Sequence, residues 1–466
     1  MTKRERTARP VLGASYRKLF SASVISNLGD GVSTVAYPWL ASAITRNPLL
    51  VALVAVAQRL PWLVFTLPAG VITDRVDRRK AMVLMDTCRG LLTAAVAVAI
   101  WIESDSLPKP SALDSVVGTR WPLFIAVLGA TVLLGSAEVL RDNAAQTIVP
   151  DVVATEHLET ANGRMWSAEG VANSFVGPPL GSLLIAVAFA LPFLLDATSF
   201  FAAAALVGLI PGSFRAARSP SGASASAPVS DTRAPWRAEL REGVSWLWAH
   251  QVLRPMAIML GLMNLASMVS GATFVLYAQE VLDVGPFVFA IIGMGGAVGG
   301  IVGGVIASRL SKRFGAGTCL AITMAGFAVS GVIMAINTWW PLAFVLFTIE
   351  SLFSILWNVI TVSFRQSIIP QHLLGRVDSV YRFFAWGMMP IGAAIGGVLV
   401  AVVDSFASRE LALRSTWVLY AAIYAALWVT ARSKLSTARI EAARAEGTRG
   451  DVAGSAALPS PQHPAT

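Results

Sequence analysis

Long apolar segments recur along the chain, and short polar breaks, often marked by Gly or Pro, separate them. Each segment is long enough to cross a hydrocarbon layer about 30 Å thick as a helix. Runs such as 49–57 and 291–307 do not alternate apolar and polar residues, as the strands of a membrane barrel would. The pattern therefore predicts an all-α membrane protein with twelve transmembrane helices. These lie at 19–43, 49–72, 82–102, 121–142, 164–188, 190–211, 252–279, 287–308, 317–336, 341–363, 377–403 and 412–431.

Composition supports a membrane protein and excludes several other classes. Of the 466 residues, 55% are hydrophobic and only 14% are charged, which fits neither a water-soluble globule nor a disordered chain. Two cysteines exclude a disulfide scaffold and a Cys-rich metal protein, and four histidines leave little for metal chemistry. We therefore expect no metal site.

The basic residues lie mostly on one side of the predicted membrane. With alternate loops assigned to one side, starting from the N-terminus, that side holds 28 of the 36 Lys and Arg residues and the other side holds 5. By the positive-inside rule, both termini are cytoplasmic and the number of spans is even. The net charge of +9 is thus a topology signal, and no nucleic-acid partner is expected.

Two polar segments suggest the domain organisation. A Ser/Ala/Pro-rich stretch at 215–235 divides the spans into six and six, and a polar tail ends the chain. The predicted parts are a cytoplasmic N-terminal segment, a six-helix half, a flexible cytoplasmic linker, a second six-helix half and a disordered cytoplasmic tail. Their ranges are 1–18, 19–211, 212–250, 251–432 and 433–466.

The two halves resemble each other in sequence. Gly70–Arg79 after span two matches Gly304–Arg313 after span eight, and Gln146–Pro150 after span four matches Gln366–Pro370 after span ten. Several matches in the same order indicate a duplication. Two six-helix pseudo-repeats are typical of a transporter with a binding site between the halves.

The loop after span two carries a motif that resembles the signature loop of the major facilitator superfamily, and the resemblance extends over nearly the whole chain. The family's second loop glycine is Asp77 here. The resemblance implies that the loop is a conformational latch, in which a carboxylate pairs with arginines. The implied latch residues are Gly70, Asp74, Arg75, Arg78, Arg79, Arg141 and Asp142.

Span five carries Gly177, Pro178 and Gly181, which resemble part of the antiporter motif of the same family. Proline removes a backbone donor, and glycine permits a bend or a close approach of another helix. Residues 141–162 and 364–400 are similar to the branch that includes macrolide efflux pumps and enterobactin-type siderophore exporters.

This resemblance implies a secondary active transporter that exports amphipathic small molecules, such as drugs or siderophores, in exchange for protons. The proton gradient would be its energy source, with no cofactor, and it would function as a monomer in the cell membrane. An uptake symporter of the same fold and a non-transporting sensor or assembly component are the alternatives. No Walker A, GxSxG or HExxH sequence occurs, so neither an ATP-driven pump nor an enzyme is expected.

Charges within the spans are the strongest functional signal, because burying one in hydrocarbon costs several kcal/mol. Asp30 in span one and Arg59 in span two lie near the middle of the membrane, so we expect them to pair and to couple transport to protons. Glu350 and Glu138 are the other candidates for proton coupling.

Several polar and aromatic residues within spans are candidates for lining a substrate cavity. They are Asn27, Asn264, Trp357, Asn358 and Trp386.

Overall fold

The structure is a computed structural model that describes residues 12–73, 76–110, 112–215, 236–369 and 371–445. These residues form helices joined by short connections and contain no β-strand, which confirms the all-α prediction. In the first part of the chain the α-helices are α1 Ala14–Ile44, α2 Pro48–Thr73, α3 Arg78–Ile102, α4 Trp121–Val152, α5 Leu158–Val171, α6 Gly177–Val187 and α7 Ala190–Gly208.

The second part of the chain begins with a helix inside the predicted linker. Its helices are α8 Trp236–Ala249, α9 Leu253–Gly271, α10 Phe274–Glu280, α11 Pro286–Phe314, α12 Ala316–Ile336, α13 Trp340–Ile368, α14 Gln371–Asp404 and α15 Arg409–Lys434. A further helix, α16, covers residues 437–445.

Eleven segments of the described chain are long and apolar enough to cross a bilayer. One of them joins α5 and α6, and another joins α9 and α10. Helix α1 has 31 residues, which is ample length, but Asn27, Asp30 and its serines make it too polar to meet the same hydropathy criterion.

The chain divides into two compact units, and the division differs from the predicted halves. The first unit contains the described residues up to 215 together with Ala278–Met294, and the second contains 236–277 and 295–445. Within the first unit, Arg46 forms an ion pair with Glu280, and the indole of Trp39 lies 5.5 Å from the ring of Phe289. Residues 278–294 thus belong to the second half by sequence but pack with the first unit.

The predicted linker and tail are ordered where the structure describes them, so the prediction of flexibility over all of 212–250 and 433–466 is wrong. Helix α8 occupies the end of the linker, and residues 212–215 are bound by the loop before α3. In the tail, the hydroxyl of Thr437 accepts a hydrogen bond from the amide of Gly317 at 3.1 Å. Polar composition alone did not reveal these tertiary contacts.

Close helix packing in the second unit depends on glycine. Gly295, Gly299 and Gly303 lie along one face of α11, and a Cβ atom at each would press on α13. At Gly299 it would overlap the carbonyl oxygen of Thr348. Spacing of four residues places these glycines above one another, as small residues do at membrane helix interfaces.

Candidate functional site

A chain of alternating charges crosses the interior of the first unit. Arg89 of α3 donates to Asp30 of α1, with 2.6 Å between Nη2 and Oδ1, and lies 3.8 Å from Asp86. Nε of Arg141 on α4 is 3.4 Å from the same Oδ1 of Asp86, and its Nη1 is 3.4 Å from Asp142. Ion pairs therefore connect three helices in the order α1, α3 and α4.

Most of this charge chain is shielded from solvent. Asp86 is fully buried, and Arg89 and Arg141 are 3% and 6% exposed. The side chain of Asp30, by contrast, is 31% exposed. Removing one member of a buried ion pair costs about 3–5 kcal/mol, because its partner is left as an uncompensated charge. At the other end of the chain, the side chain of Asp142 is 35% exposed. The network is thus open at both ends, Asp30 and Asp142, and enclosed in its middle.

The predicted pairing of Asp30 with Arg59 is wrong. Asp30 binds Arg89 instead, whereas Arg59 is exposed and acts on Glu138 only at longer range. The prediction used depth in the membrane, but a pair also requires that both helices turn the two side chains towards each other. Whether Asp30, Arg59, Glu138 or Glu350 couples to protons stays a prediction.

Sequence analysis missed one buried acid of the first unit. Asp196 of α7 is 3% exposed, and its Oδ2 accepts a hydrogen bond from the hydroxyl of Ser33 at 2.6 Å. It is the only charged residue in α7. Asp30 was predicted as a functional residue because it is an acid within an apolar span. Asp196 is also an acid within an apolar span, so the same signal could have identified it.

Glu350 lies inside the second unit among hydroxyl groups. Its Oε1 accepts hydrogen bonds from Ser330 of α12 at 2.5 Å and from Tyr420 of α15 at 3.1 Å. The ring of Tyr420 is 4.6 Å from that of Tyr424, which places an aromatic layer beside the carboxyl group. Glu350 therefore joins three helices through neutral partners.

Two basic residues of the predicted latch, Arg78 and Arg79, bind helix ends of the first unit, whereas Arg141 belongs to the charge chain. Arg78 pairs with Asp151 at 2.7 Å and donates to the carbonyl of Thr147, both near the end of α4. Arg79 donates to the carbonyl of Ile210, just after α7, at 2.6 Å. Of the other motif residues, Gly70 lies in α2, while Asp74 and Arg75 are outside the described residues.

Asp77, the residue that departs from the family's loop pattern, ties the loop to the chain after α7. It caps α3 through the amide of Lys80, and its Oδ2 accepts from the hydroxyl of Ser213 and the amide of Phe214 at 2.9 and 3.0 Å. Burial raises the pKa of Asp77, but these hydrogen bonds and the charge of Arg79 outweigh it and hold the pKa below its ordinary value. Its φ of −70° shows that this position needs no glycine.

The antiporter-like motif lies where span five packs against α1. A π-helical turn at Ala172–Val176 precedes Gly177, and Pro178 follows in the first turn of α6. A Cβ atom at Gly177 would lie 2.5 Å from the Cα of Gly31, and one at Gly181 would lie 2.5 Å from the carbonyl oxygen of Val32. Close helix approach, one of the two expected roles of these glycines, is thus observed.

Two of the predicted cavity residues use their amides within the protein. Nδ2 of Asn27 donates to the carbonyl and hydroxyl of Ser23, in the preceding turn of its own helix. Nδ2 of Asn264 donates to the carbonyl of Ala385 at 2.7 Å and so joins α9 to α14.

Of the other three cavity candidates, two are exposed and one is buried. Asn358 is exposed and Trp386 is 38% exposed, so both have accessible surface. Trp357 is 1% exposed and packs in the interior, so the prediction that it lines a cavity is wrong for this structure. An apolar residue away from a span boundary can either line a cavity or pack in the interior, and the sequence pattern does not distinguish these two roles.

An apolar groove of about 830 Å³ runs between α1 and α5 with the π-helical turn that follows α5, in the first unit. Phe20, Val24 and Leu28 line one wall, and the other wall runs from Thr160 to Val176. Arg164 is the one charged lining residue. No group of three or more potential metal ligands occurs among the residues that the structure describes.

A family model described as "Transmembrane secretion effector" matches residues 7–445 of the chain. The chain belongs to this family of major facilitator transporters. Family membership confirms the resemblance found in the sequence and makes the protein a multi-pass membrane transporter rather than an enzyme.

Relatives of the family include two exporters that align along most of this chain. "Multidrug efflux pump Tap" of Mycolicibacterium fortuitum is 25% identical over 388 residues, covering 81% of this chain and 87% of the relative. "Enterobactin exporter EntS" of Shigella boydii is 26% identical over 404 residues, covering 85% and 88%. A bacterial homologue of the human lysosomal transporter Spinster has a similar fold, with a TM-score of 0.66, 12% identity and coverage of 92% and 98%.

Proposed function

We propose that the protein exports amphipathic small molecules, such as drugs or siderophores, in exchange for protons. The observation that carries the proposal is the charge chain that begins at Asp30 and continues through Arg89 into the buried interior. The named activities of the two exporter relatives support the direction of transport.

The geometry of the Asp30–Arg89 pair suits proton coupling. The Asp30 side chain is 31% exposed and the Arg89 side chain is 4% exposed, so Asp30 is the more accessible member of the pair for a proton. Protonation of Asp30 neutralises the carboxylate and releases Arg89, which then has to find another acceptor within the unit. The protonation state of Asp30 therefore decides whether the ion pair between α1 and α3 is present. A substrate that binds more tightly to one of these two states shifts the equilibrium towards that state.

The groove beside α1 supports an amphipathic substrate. Its lining is almost entirely apolar, and Arg164 supplies one positive charge. Such a lining suits a molecule with a large apolar body and a small polar or anionic group.

The proposal extends to the setting of the protein in the cell. With both termini in the cytoplasm, the latch loop before α3 lies on the cytoplasmic side, as the charge asymmetry predicts. A single chain suffices as the working unit, because the charge chain lies within one compact unit.

Export from proteoliposomes with an imposed proton gradient tests the proposal. A first screen compares expressing and empty efflux-deficient cells against macrolides, tetracyclines, dyes and siderophores, with and without a protonophore, and supplies the substrate. We expect Asp30→Asn to abolish gradient-driven export while substrate still binds, because the amide cannot carry the proton.

The matched control is Asp105→Asn, which makes the same change at an exposed turn. It should transport like the wild type. Full gradient-driven export by Asp30→Asn would remove this residue from proton coupling, and export that ignores the protonophore in the wild type would refute antiport.

A further inference from the structure

A second buried carboxyl group lies beside the Asp30–Arg89 pair. Asp196 is 3% exposed, and its Oδ2 accepts a hydrogen bond from the hydroxyl of Ser33. Its Oδ1 has no hydrogen-bond partner among the described residues. Asp196 is therefore a buried acid whose close partner is an uncharged hydroxyl.

The sequence of α1 makes room for this carboxyl group. A Cβ atom at Gly29 would overlap Oδ1 of Asp196 and the hydroxyl of Ser199, so the missing side chain leaves space for both groups in their observed positions. Gly29 directly precedes Asp30. The carboxyl groups of Asp30 and Asp196 thus meet the same turn of α1.

The charged and titratable groups that act on Asp196 come from three helices. They are Asp30 and Tyr37 of α1, Arg89 of α3 and Glu138 of α4. Of these groups only Arg89 is a cation, and it binds Asp30 at 2.6 Å. A buried carboxylate without a cation of its own costs several kcal/mol, whereas the neutral acid avoids most of that cost. This arrangement therefore favours a neutral Asp196.

We propose that Asp30 and Asp196 share one proton and one guanidinium group. In this structure Asp196 holds the proton, and Asp30, as a carboxylate, binds Arg89. In the alternative arrangement Asp196 releases its proton, Asp30 takes one up, and Arg89 binds Asp196. Each arrangement contains one acid, one carboxylate and one arginine, so protons and charge balance. The inference rests on the proton coupling proposed above and names its second carrier.

Arg89 already contacts the face of α7 that carries Asp196. Its guanidinium carbon lies 4.0 Å from the ring centre of Phe200. Phe200 follows Asp196 by four residues, so both side chains lie on the same face of α7, one turn apart. The exchange thus requires the guanidinium to move along one face of α7, from the turn of Phe200 towards the turn of Asp196.

Infrared absorption by carboxylic acids tests the shared proton directly, because the C=O stretch of a protonated carboxyl group differs from that of a carboxylate. In purified protein at neutral pH, Asp196→Asn should lose one acid band of the wild type. Asp30→Asn should lose the same band, because Arg89 is then released and stabilises Asp196 as a carboxylate. Asp105→Asn should keep it.

Two results would overturn the inference. An unchanged acid band in Asp196→Asn shows that Asp196 is ionised in the wild type. Loss of the band in Asp196→Asn with retention in Asp30→Asn shows that the two acids do not share Arg89. If Asp196→Asn does not fold, Asp30→Asn decides the question, since it leaves α7 intact.

Two further measurements separate this inference from the proposed function. Ser33→Ala removes the hydroxyl that binds Asp196, so it should shift the frequency of the acid band, and an unshifted band contradicts its assignment. Gradient-driven export by the same preparations reports on antiport itself. Export that does not depend on the proton gradient would refute the proposed function. The infrared spectra test a different point, namely whether Asp30 and Asp196 share the proton.

Discussion

Replacing Asp77 with Asn should release the chain after α7 while leaving the start of α3 capped. The asparagine oxygen can still accept from the amide of Lys80, since Asn caps helices as well as Asp does. Its NH₂ group cannot accept from the Phe214 amide, which donates to Oδ2 in the wild type. The Ser213 hydroxyl, which also donates to Oδ2, can instead rotate and accept from the NH₂ group.

The magnitude follows from the bond to the Phe214 amide. A hydrogen bond to a charged group contributes about 1.5–3 kcal/mol, so losing it lowers the local opening free energy by about 2 kcal/mol. Because about 1.4 kcal/mol corresponds to a factor of ten, the Phe214 amide should exchange with deuterium about 30-fold faster. The exchange rate of the Lys80 amide should change little in Asp77→Asn and should rise in Asp77→Ala, which removes the capping oxygen.

Hydrogen exchange measured by mass spectrometry on peptides covering 76–82 and 211–215 reports both amides. Asp105→Asn serves as the control for the substitution itself and should leave both peptides unchanged. Unchanged exchange at Phe214 in Asp77→Asn would refute the reasoning, because the amide would then owe its protection to something other than Oδ2.

The pH dependence has a definite sign. The pKa of Asp77 lies below its ordinary value in the folded protein, so the unfolded chain binds the proton more tightly. The stabilisation is therefore fully present above the ordinary value of about 4 and is lost as the pH falls through the lowered folded value. Protection of Phe214, corrected for the intrinsic exchange rate, should thus stay constant from neutral pH down to about pH 5.

Two other predictions concern packing and topology. Gly299→Ala should lower the melting temperature in detergent, because its Cβ would overlap the Thr348 carbonyl and such overpacking costs about 1–3 kcal/mol. Gly304→Ala, whose Cβ position is open, is the control, and equal melting of the two variants would contradict the packing argument. Reporter fusions after residues 230 and 450 should behave as cytoplasmic and one near residue 110 as external, and an external residue 230 would contradict the six-plus-six arrangement.

Helix content and membrane character could be predicted from the sequence because they depend on local properties. An apolar run of about 20 residues has to satisfy its backbone hydrogen bonds internally, and a helix does so wherever the run lies in the chain. The sequence also indicated that Gly177 and Gly181 permit a bend or a close approach of another helix, but it did not identify α1 as that helix. The family resemblance came from short motifs of the same local kind.

Tertiary structure decided which charges meet. Depth along a helix is readable from the sequence, but the rotation of each helix is set by packing over its whole length, and it brought Arg89 rather than Arg59 to Asp30. The same packing placed Asp196 against Gly29 and bound the chain after α7 to Asp77. Ion pairs and buried acids depend on distances of a few ångströms between segments far apart in the chain, and only the folded arrangement of helices determines those distances.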